Sequence, residues 1–199
     1  MIGLLIAMVP AFSVCGQAVL HKHLIVSLGG GGGLLAIESN ADSLNADALP
    51  SSAVRFSFAY ALGDRFSLGG HYDRIGTVRH EGGVERLRFT TYLIEGTYRP
   101  IDAERTAIEV TAAAGAYIMA LRPIGGLIPY DSAGPAFAFG LRYLRLINET
   151  IGLQVAIDHA QGLTQEVTFH EEPLQVTPDD PLTIGWHGQR ITGGMFIRF

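Results

Sequence analysis

The chain has little charge and, beyond its first twenty residues, no long apolar run. Charged residues make up only 17% of its 199 positions, whereas hydrophobic residues make up 48%. Soluble domains usually contain about a quarter charged residues. After residue 20, no apolar run approaches the roughly 20 residues that a membrane-spanning helix requires. The sequence is therefore rich in apolar residues but offers no helix that could carry them through a bilayer.

The chain also lacks paired cysteines and basic stripes. Cys15 is its only cysteine, which excludes a disulfide within the chain. The formal net charge is -5, and no stripe of basic and aromatic residues occurs. No nucleic-acid partner is therefore expected. The glycine run at 29–33 lacks the Lys-Ser/Thr ending of a phosphate-binding loop. We expect neither a cofactor nor a metal ion.

Residues 1–18 are predicted to be a cleaved signal peptide. An apolar segment at 2–14 has signal-peptide length and is followed by small residues. No Lys or Arg precedes this segment, which is atypical of such signals. Lipidation of Cys15 is an alternative, but the residues before Cys15 depart from the lipoprotein pattern, so removal with the signal is favoured. Residues 19–199 are then predicted to form a single domain.

From residue 23 onward, apolar side chains recur with the period of two that is typical of β-strands. The clearest example is Ile151, Leu153, Val155 and Ile157, which alternate with small or polar residues. Eight strands are predicted, at 23–37, 54–62, 65–78, 85–99, 106–120, 136–143, 151–158 and in a final segment ending at 199. Short turns at 63–64, 100–104 and 148–149 alternate with longer connections at 38–53, 79–84, 121–134 and 159–189.

This pattern predicts an all-β fold, an eight-stranded antiparallel up-and-down transmembrane β-barrel. Each spanning strand needs only about 9 to 11 residues, and alternate residues can be polar. Long connections on one side and short turns on the other are typical of outer-membrane barrels. The fourth strand has an ambiguous phase, because Leu87 and Phe89 alternate out of step with Tyr92. Tyr92, Ile94 and Tyr98 are predicted to face outward, with Arg86 and Arg88 above the membrane.

The charged residues of the strands fall in the phase opposite to the apolar ones. Eight strands enclose an interior just wide enough for side chains to fill it, so charges there should form ion pairs. We predict an ion-pair network in the lumen that consists of Arg55, His71, Asp73, Glu95, Glu109, Arg142, Asp158, Arg190 and Arg198.

In its signal-like start, eight amphipathic strands and aromatic C-terminal residue, the chain resembles the small bacterial outer-membrane barrels of the OmpA/OmpX kind. The resemblance covers residues 23–199 and implies a location in the outer membrane, in contact with its lipid. It also implies that Met195, Ile197 and Phe199 form the signal read by the barrel assembly machinery. Known roles in this group range from envelope stabilisation to adhesion.

The leading functional hypothesis is a non-enzymatic anchor with a plugged lumen, whose extracellular loops at 38–53, 121–134 and 159–189 contact an unidentified partner. A narrow pore is one alternative. A lipid-modifying enzyme is another, because His159 follows Asp158, as in a catalytic pair. A lipid A deacylase would carry Ser two residues after the histidine, whereas this chain has Gln161.

Overall fold

The computed structural model describes residues 24–78, 84–123, 130–170 and 172–199, which form a closed β-barrel. The barrel strands are β1 (Leu24–Ser39), β2 (Ala46–Ala61), β3 (Phe66–Val78), β4 (Val84–Asp102), β5 (Thr106–Pro123), β6 (Tyr130–Leu146) and β7 (Ile151–Glu166), followed after four short strands by β12 (Thr183–Arg198). The short strands are β8 (Thr168–Phe169), β9 (Glu172–Pro173), β10 (Gln175–Thr177) and β11 (Asp180–Pro181). The predicted signal peptide at 1–18, with Cys15, lies outside the described residues.

Neighbouring barrel strands pair in antiparallel fashion all the way round the sheet. Each strand from β1 to β7 pairs with the next, and β12 pairs with both β7 and β1. The first and last strands meet in register, with Ile25 opposite Arg198 and Ser39 opposite Ile184. The prediction of an eight-stranded antiparallel barrel is therefore confirmed.

None of the helical segments in the described residues is both long and apolar enough to span a bilayer.

The strands extend further at one end of the barrel than the sequence indicated. The predicted loop at 38–53 is mostly strand, because β1 continues to Ser39 and β2 begins at Ala46, with a short 3-10 helix at Asp42–Leu44 between them. In the same way, β7 continues to Glu166, and the connection before β12 contains the short strands. We call the end with these longer connections the outer end, and the opposite end, with its tight turns, the inner end.

Side chains alternate between the two faces as the sequence predicts. On β2, Phe56, Phe58 and Tyr60 are exposed on the outside, whereas Arg55 and Ser57 are buried inside. The same alternation holds for the apolar residues of the other strands. Exposed apolar residues include Ile94, Val110, Ile118, Phe137, Phe139, Leu141, Leu153, Val155, Ile157, Ile191 and Met195. The outside of the cylinder is thus apolar over its middle.

The phase of β4 does not change along the strand. Leu87 and Phe89 are buried on the same inward face as Glu95, and Tyr92 and Ile94 are exposed on the outward face. The apparent conflict arises because the interior is apolar near the outer end and ionic further down. Arg86 and Arg88 lie outward, towards the outer end of β4.

Two glycines of the 29–33 run are required by the close approach of β1 to β12. A Cβ atom on Gly31 would overlap the carbonyl oxygen of Ile191, and one on Gly33 would overlap that of Gln189. Gly30 points outward, where a Cβ would meet only the carbonyl oxygen of Ala53 at 3.5 Å. The inward glycines therefore allow the tight curvature that closes a small barrel.

Candidate functional site

The charged interior begins with a pair of residues that face each other across β2 and β3. Arg55 and Asp73 are in register, and the Nε and Nη2 atoms of Arg55 donate to the two carboxylate oxygens of Asp73 at 2.6 and 2.9 Å. Both side chains are buried. Two parallel bonds of this kind are the strongest form of arginine–carboxylate pairing.

A second arginine–aspartate pair adjoins the first across the closure of the barrel. Arg190 on β12 lies in register with Asp158 on β7, donates from Nε at 2.7 Å, and also contacts it through Nη2. Arg190 Nη1 also donates to Asp73 at 3.0 Å, and Arg55 Nη1 lies 3.0 Å from Asp158 Oδ2. The two arginines and two aspartates therefore form one cluster.

His71 connects this cluster to a second group of charges. Its Nε2 atom lies 3.3 Å from Asp73 Oδ2, and its Nδ1 atom lies 3.0 Å from Glu95 Oε2. Glu95 in turn accepts a hydrogen bond of 2.8 Å from Arg142 Nη2. Arg142 uses its Nη1 atom to donate to Glu109 at 3.2 Å. The imidazole ring is thus the bridge between the two groups.

Arg99, which was not among the predicted residues, completes the network at its inner end. Its Nε atom donates to Glu109 at 2.9 Å, and Nη1 donates to the carbonyl oxygen of Asp64 in the β2–β3 turn at 3.3 Å. Arg99 is almost completely buried. It has the same strand phase as Glu95, four residues earlier, and this spacing was the available signal.

Arg198 lies apart from these ion pairs, although it was predicted among them. Its Nε atom donates to the carbonyl oxygen of Glu149, in the turn before β7, at 2.6 Å. The residue shares the inward phase of Arg190 but sits at the inner rim, where the partly exposed side chain reaches a turn. The remaining eight predicted residues are buried and in mutual contact.

The network pairs equal numbers of opposite charges. Four arginines (Arg55, Arg99, Arg142 and Arg190) contact four carboxylates (Asp73, Glu95, Glu109 and Asp158), so the charges balance when His71 is neutral. Taking such groups out of water is costly unless every charge has a partner. The arrangement joins seven of the eight barrel strands through their side chains.

An apolar cluster fills the interior between this network and the outer end. Its largest members are Phe89, Tyr117 and Trp186, whose rings pack with centroids 4.9 to 6.3 Å apart. Tyr117 also donates from its hydroxyl to the carbonyl oxygen of Leu163 at 2.8 Å. We call the cluster the apolar plug; it further contains Leu35, Ile37, Ile75, Leu87, Met119, Leu121, Val167 and Ile184. The ion-pair network was the only content of the lumen that the sequence predicted, so this cluster is a finding of the structure.

The outside carries aromatic pairs at two heights. Phe66 and Tyr98 pack together at the inner end with ring centroids 5.0 Å apart, and Tyr72 and Tyr92 pack further up with centroids 5.4 Å apart. The pair Phe66–Tyr98 lies at the inner edge of the apolar belt, where aromatic side chains are typical of barrels that span a bilayer. An apolar exterior around an ionic interior is the reverse of a soluble protein.

His159 and Asp158 do not form a catalytic pair. Asp158 points into the barrel and binds Arg190, whereas His159 points outward and packs against Phe139 and His187. Successive residues of a strand face opposite sides, so neither side chain can orient the other. No group of three or more His, Cys, Asp or Glu suited to a metal ion occurs among the described residues.

Met195, Ile197 and Phe199 lie on the outward face at the inner end of β12 and just beyond it. Their role as a signal for the assembly machinery stays a prediction.

The comparisons with known proteins bear on the fold alone. No protein-family model matches the sequence, and no curated protein matches it. Neisserial surface protein A (NspA) has a similar solved structure: it is 10% identical, with a TM-score of 0.61 over 88% of this chain and 97% of that one. OprG, an outer-membrane protein of Pseudomonas aeruginosa, is also similar, at 10% identity and a TM-score of 0.59 over 92% of this chain and 99% of that one.

These matches agree with the strand number and the closure described above. The chain therefore has the fold of the small eight-stranded outer-membrane β-barrels, and its apolar exterior has the character that a lipid-facing surface requires.

Proposed function

We propose that this outer-membrane barrel is a non-enzymatic anchor that displays its extracellular connections to a partner. The observation that carries the proposal is the filled interior. The ion-pair network occupies the lower lumen and the apolar plug occupies the upper lumen. An ion would have to displace paired charges and then cross packed aromatic rings, which makes conduction unfavourable.

The connection between β7 and β12 supports this proposal because it folds over the outer mouth. Val167 is fully buried in the apolar plug, and Leu174 and Leu182 pack against it. Backbone hydrogen bonds link these three residues, from Val167 to Leu182, from Leu174 to Val167 and from Leu182 to Leu174. The connection is thus a cap with its own internal order.

Asn40 joins this cap to the neighbouring β1–β2 connection. Its Nδ2 atom donates to Asp180 Oδ1 at 3.2 Å and to the carbonyl oxygen of Pro181 at 2.9 Å, and its Oδ1 accepts from the backbone of Thr183 at 2.9 Å. A cap fixed in this way presents a defined surface, as rigid scaffolds do for their functional loops. Its exposed residues include Glu172, Gln175, Val176, Asp179 and Asp180.

Single-channel recording in planar bilayers tests the closed lumen. Refolded protein should give no reproducible conductance steps, and regular steps would instead support the narrow pore.

Incubation with lipopolysaccharide, followed by mass analysis of lipid A, tests whether the protein modifies lipid A. Lipid A should be unchanged by the wild-type protein. Loss of an acyl chain with wild type, but not with His159→Ala, would overturn the proposal.

A further inference from the structure

Four arginines lie together on the outward face of three neighbouring strands near the outer end. They are Arg74 on β3, Arg86 and Arg88 on β4, and Arg122 on β5. Arg88 is in register with Gly76, which lies two residues after Arg74, and Arg86 is in register with Arg122. Opposed residues in an antiparallel pair lie roughly 4.5 to 5.5 Å apart. The four side chains therefore start from three successive rows of one surface.

The cluster lies at the height expected for the outer headgroups of a bilayer. The aromatic pair Phe66–Tyr98 lies at the inner end, and Arg88 comes ten residues before Tyr98 on β4. A strand crosses a bilayer in about 9 to 11 residues. Arg88 is therefore at the outer interface. Arg74, eight residues beyond Phe66, can reach the same height with its long side chain.

Three of the four arginines, unlike those inside the barrel, lack a carboxylate partner among the described residues. In the ranges that the structure describes, no ion pair involves Arg74, Arg86 or Arg88. Like charges on adjacent strands repel each other. A bound anion would relieve this repulsion.

A shallow groove of about 300 Å³ separates the arginines. Ser52, Val54, Arg74, Gly76, Arg86 and Arg88 line it. Gly76 forms part of its floor, and a Cβ atom there would meet only Ser52 Oγ, at 4.0 Å. Because glycine has no side chain, there is room between the guanidinium groups. Guanidinium groups bind phosphate oxygens through paired hydrogen bonds.

Among the described residues, the outward arginines near the outer end lie on one side of the barrel. Across the barrel, the outward residues near the outer end include Glu38 and His187, with Glu38 Oε1 3.6 Å from His187 Nδ1. A general attraction to anionic surfaces would not require such a one-sided arrangement. The distribution favours a discrete binding site.

We propose that Arg74, Arg86 and Arg88 bind the phosphate groups of outer-leaflet lipopolysaccharide in this groove. The inference rests on the proposed location in the outer membrane and names a lipid partner for it. The acyl chains would lie against the apolar belt below the arginines, and the phosphates would lie between guanidinium groups.

Binding of lipid A to the refolded full chain in detergent micelles tests this proposal. The probes are lipid A with two phosphates and the same lipid with both phosphates removed, measured by calorimetry or native mass spectrometry. Combined R74Q, R86Q and R88Q substitutions should weaken binding of the phosphorylated lipid at least about tenfold, because each interfacial arginine attracts an anionic headgroup. Removal of the phosphates should weaken binding to the wild type similarly.

The inner end provides a matched control. Arg105 and Arg145 line another groove there, and Arg65 is exposed in the turn between β2 and β3. Combined R65Q, R105Q and R145Q substitutions remove the same charge and should leave affinity within about twofold of wild type, because surface charges away from the ligand are screened. Gly76→Leu retains every charge but fills the groove, and it should weaken binding.

Three results would overturn the proposal: equal affinity of wild type and the outer triple variant, equal loss with both triple variants, or binding unaffected by phosphate removal. A different outcome would assign the cluster to a polysaccharide instead. In that outcome the wild type binds a soluble sulfated glycan, and the outer triple variant loses this binding but retains binding of lipid A. Failure of the membrane location has a separate readout, because such a protein would not insert into vesicles at all.

Discussion

Arg55 and Asp73 face each other in register across β2 and β3, and two hydrogen bonds of 2.6 and 2.9 Å join the guanidinium to the carboxylate. Both side chains are buried inside a barrel whose exterior is apolar. The pair is therefore a direct point at which to measure what the ionic interior contributes to stability.

Removal of both partners should cost less than the sum of the two separate removals. Arg55→Met removes the two hydrogen bonds and the positive charge that stabilise the buried carboxylate of Asp73. It should lower the free energy of unfolding by about 3 to 5 kcal/mol. In combination with Asp73→Leu, the loss should be smaller than the sum of the two single losses, because neither charge is then left without the other. Urea unfolding in micelles, followed by circular dichroism, measures all three variants. Strictly additive losses would show that the two residues are not coupled. Arg65→Met, at an exposed turn, is the control.

The glycine run allows a test of barrel closure. Gly31→Ala introduces a Cβ that overlaps the backbone of β12, whereas Gly30→Ala introduces one at an ordinary distance from Ala53. Gly31→Ala should lower the folded yield and the stability by about 1 to 3 kcal/mol, as overpacking does. Gly30→Ala should stay within about 1 kcal/mol of wild type, since its Cβ makes an ordinary contact and alanine has the better backbone entropy. Gel mobility with and without heating measures the folded fraction. Equal effects of the two substitutions would contradict the close approach of β1 and β12.

A charge introduced into the apolar belt should be destabilising in a depth-dependent way. Ile157 lies midway along β7 and Ile147 lies in the inner turn, with similar exposed fractions of 57% and 56%. Ile157→Lys should cost about 2 to 4 kcal/mol in vesicles, whereas Ile147→Lys should cost at most about 1 kcal/mol. Folding titrations in lipid vesicles measure the difference. The same cost at both positions would be inconsistent with a lipid belt around the middle of the barrel.

The apolar plug should contribute more to stability than a lipid-facing aromatic residue. Phe89 is completely buried in the lumen, whereas Phe139 is exposed on the outside. Phe89→Ala should cost about 3 to 5 kcal/mol, because a cavity remains where the ring packed against Trp186 and Tyr117. Phe139→Ala leaves no internal cavity and should cost clearly less. Unfolding midpoints of the two variants in one detergent give the comparison, and a larger loss for Phe139→Ala would argue against a packed plug.

The barrel was predictable because each strand separates its side chains by a period of two. The outward positions of Phe56, Phe58 and Ile157 follow from that period alone, as do the inward positions of Arg55 and Asp158. The period does not say how deep a residue lies. Arg198 therefore has the predicted phase but reaches a turn at the rim.

The features that were not predicted share another cause, because the sequence pattern does not show where the interior changes from ionic to apolar. Leu87 and Phe89 alternate out of step with Tyr92 because they continue the inward phase of Glu95 into an apolar region. Arg99 was overlooked at the other end of the same face. The order within the β7–β12 connection could not be predicted, since it depends on contacts of Val167 and Asn40 with distant residues.

The most direct test of the account is a nitroxide scan along 153–158 of β7, in a Cys15→Ser background, with the barrel inserted in lipid vesicles. Each position in turn carries a spin-labelled cysteine, and its collision rates with oxygen and with a water-soluble nickel complex are measured. The account predicts that labels at 153, 155 and 157 collide mainly with oxygen dissolved in lipid, whereas labels at 154, 156 and 158 are protected from both reagents. High nickel accessibility at 153, 155 and 157 would contradict it.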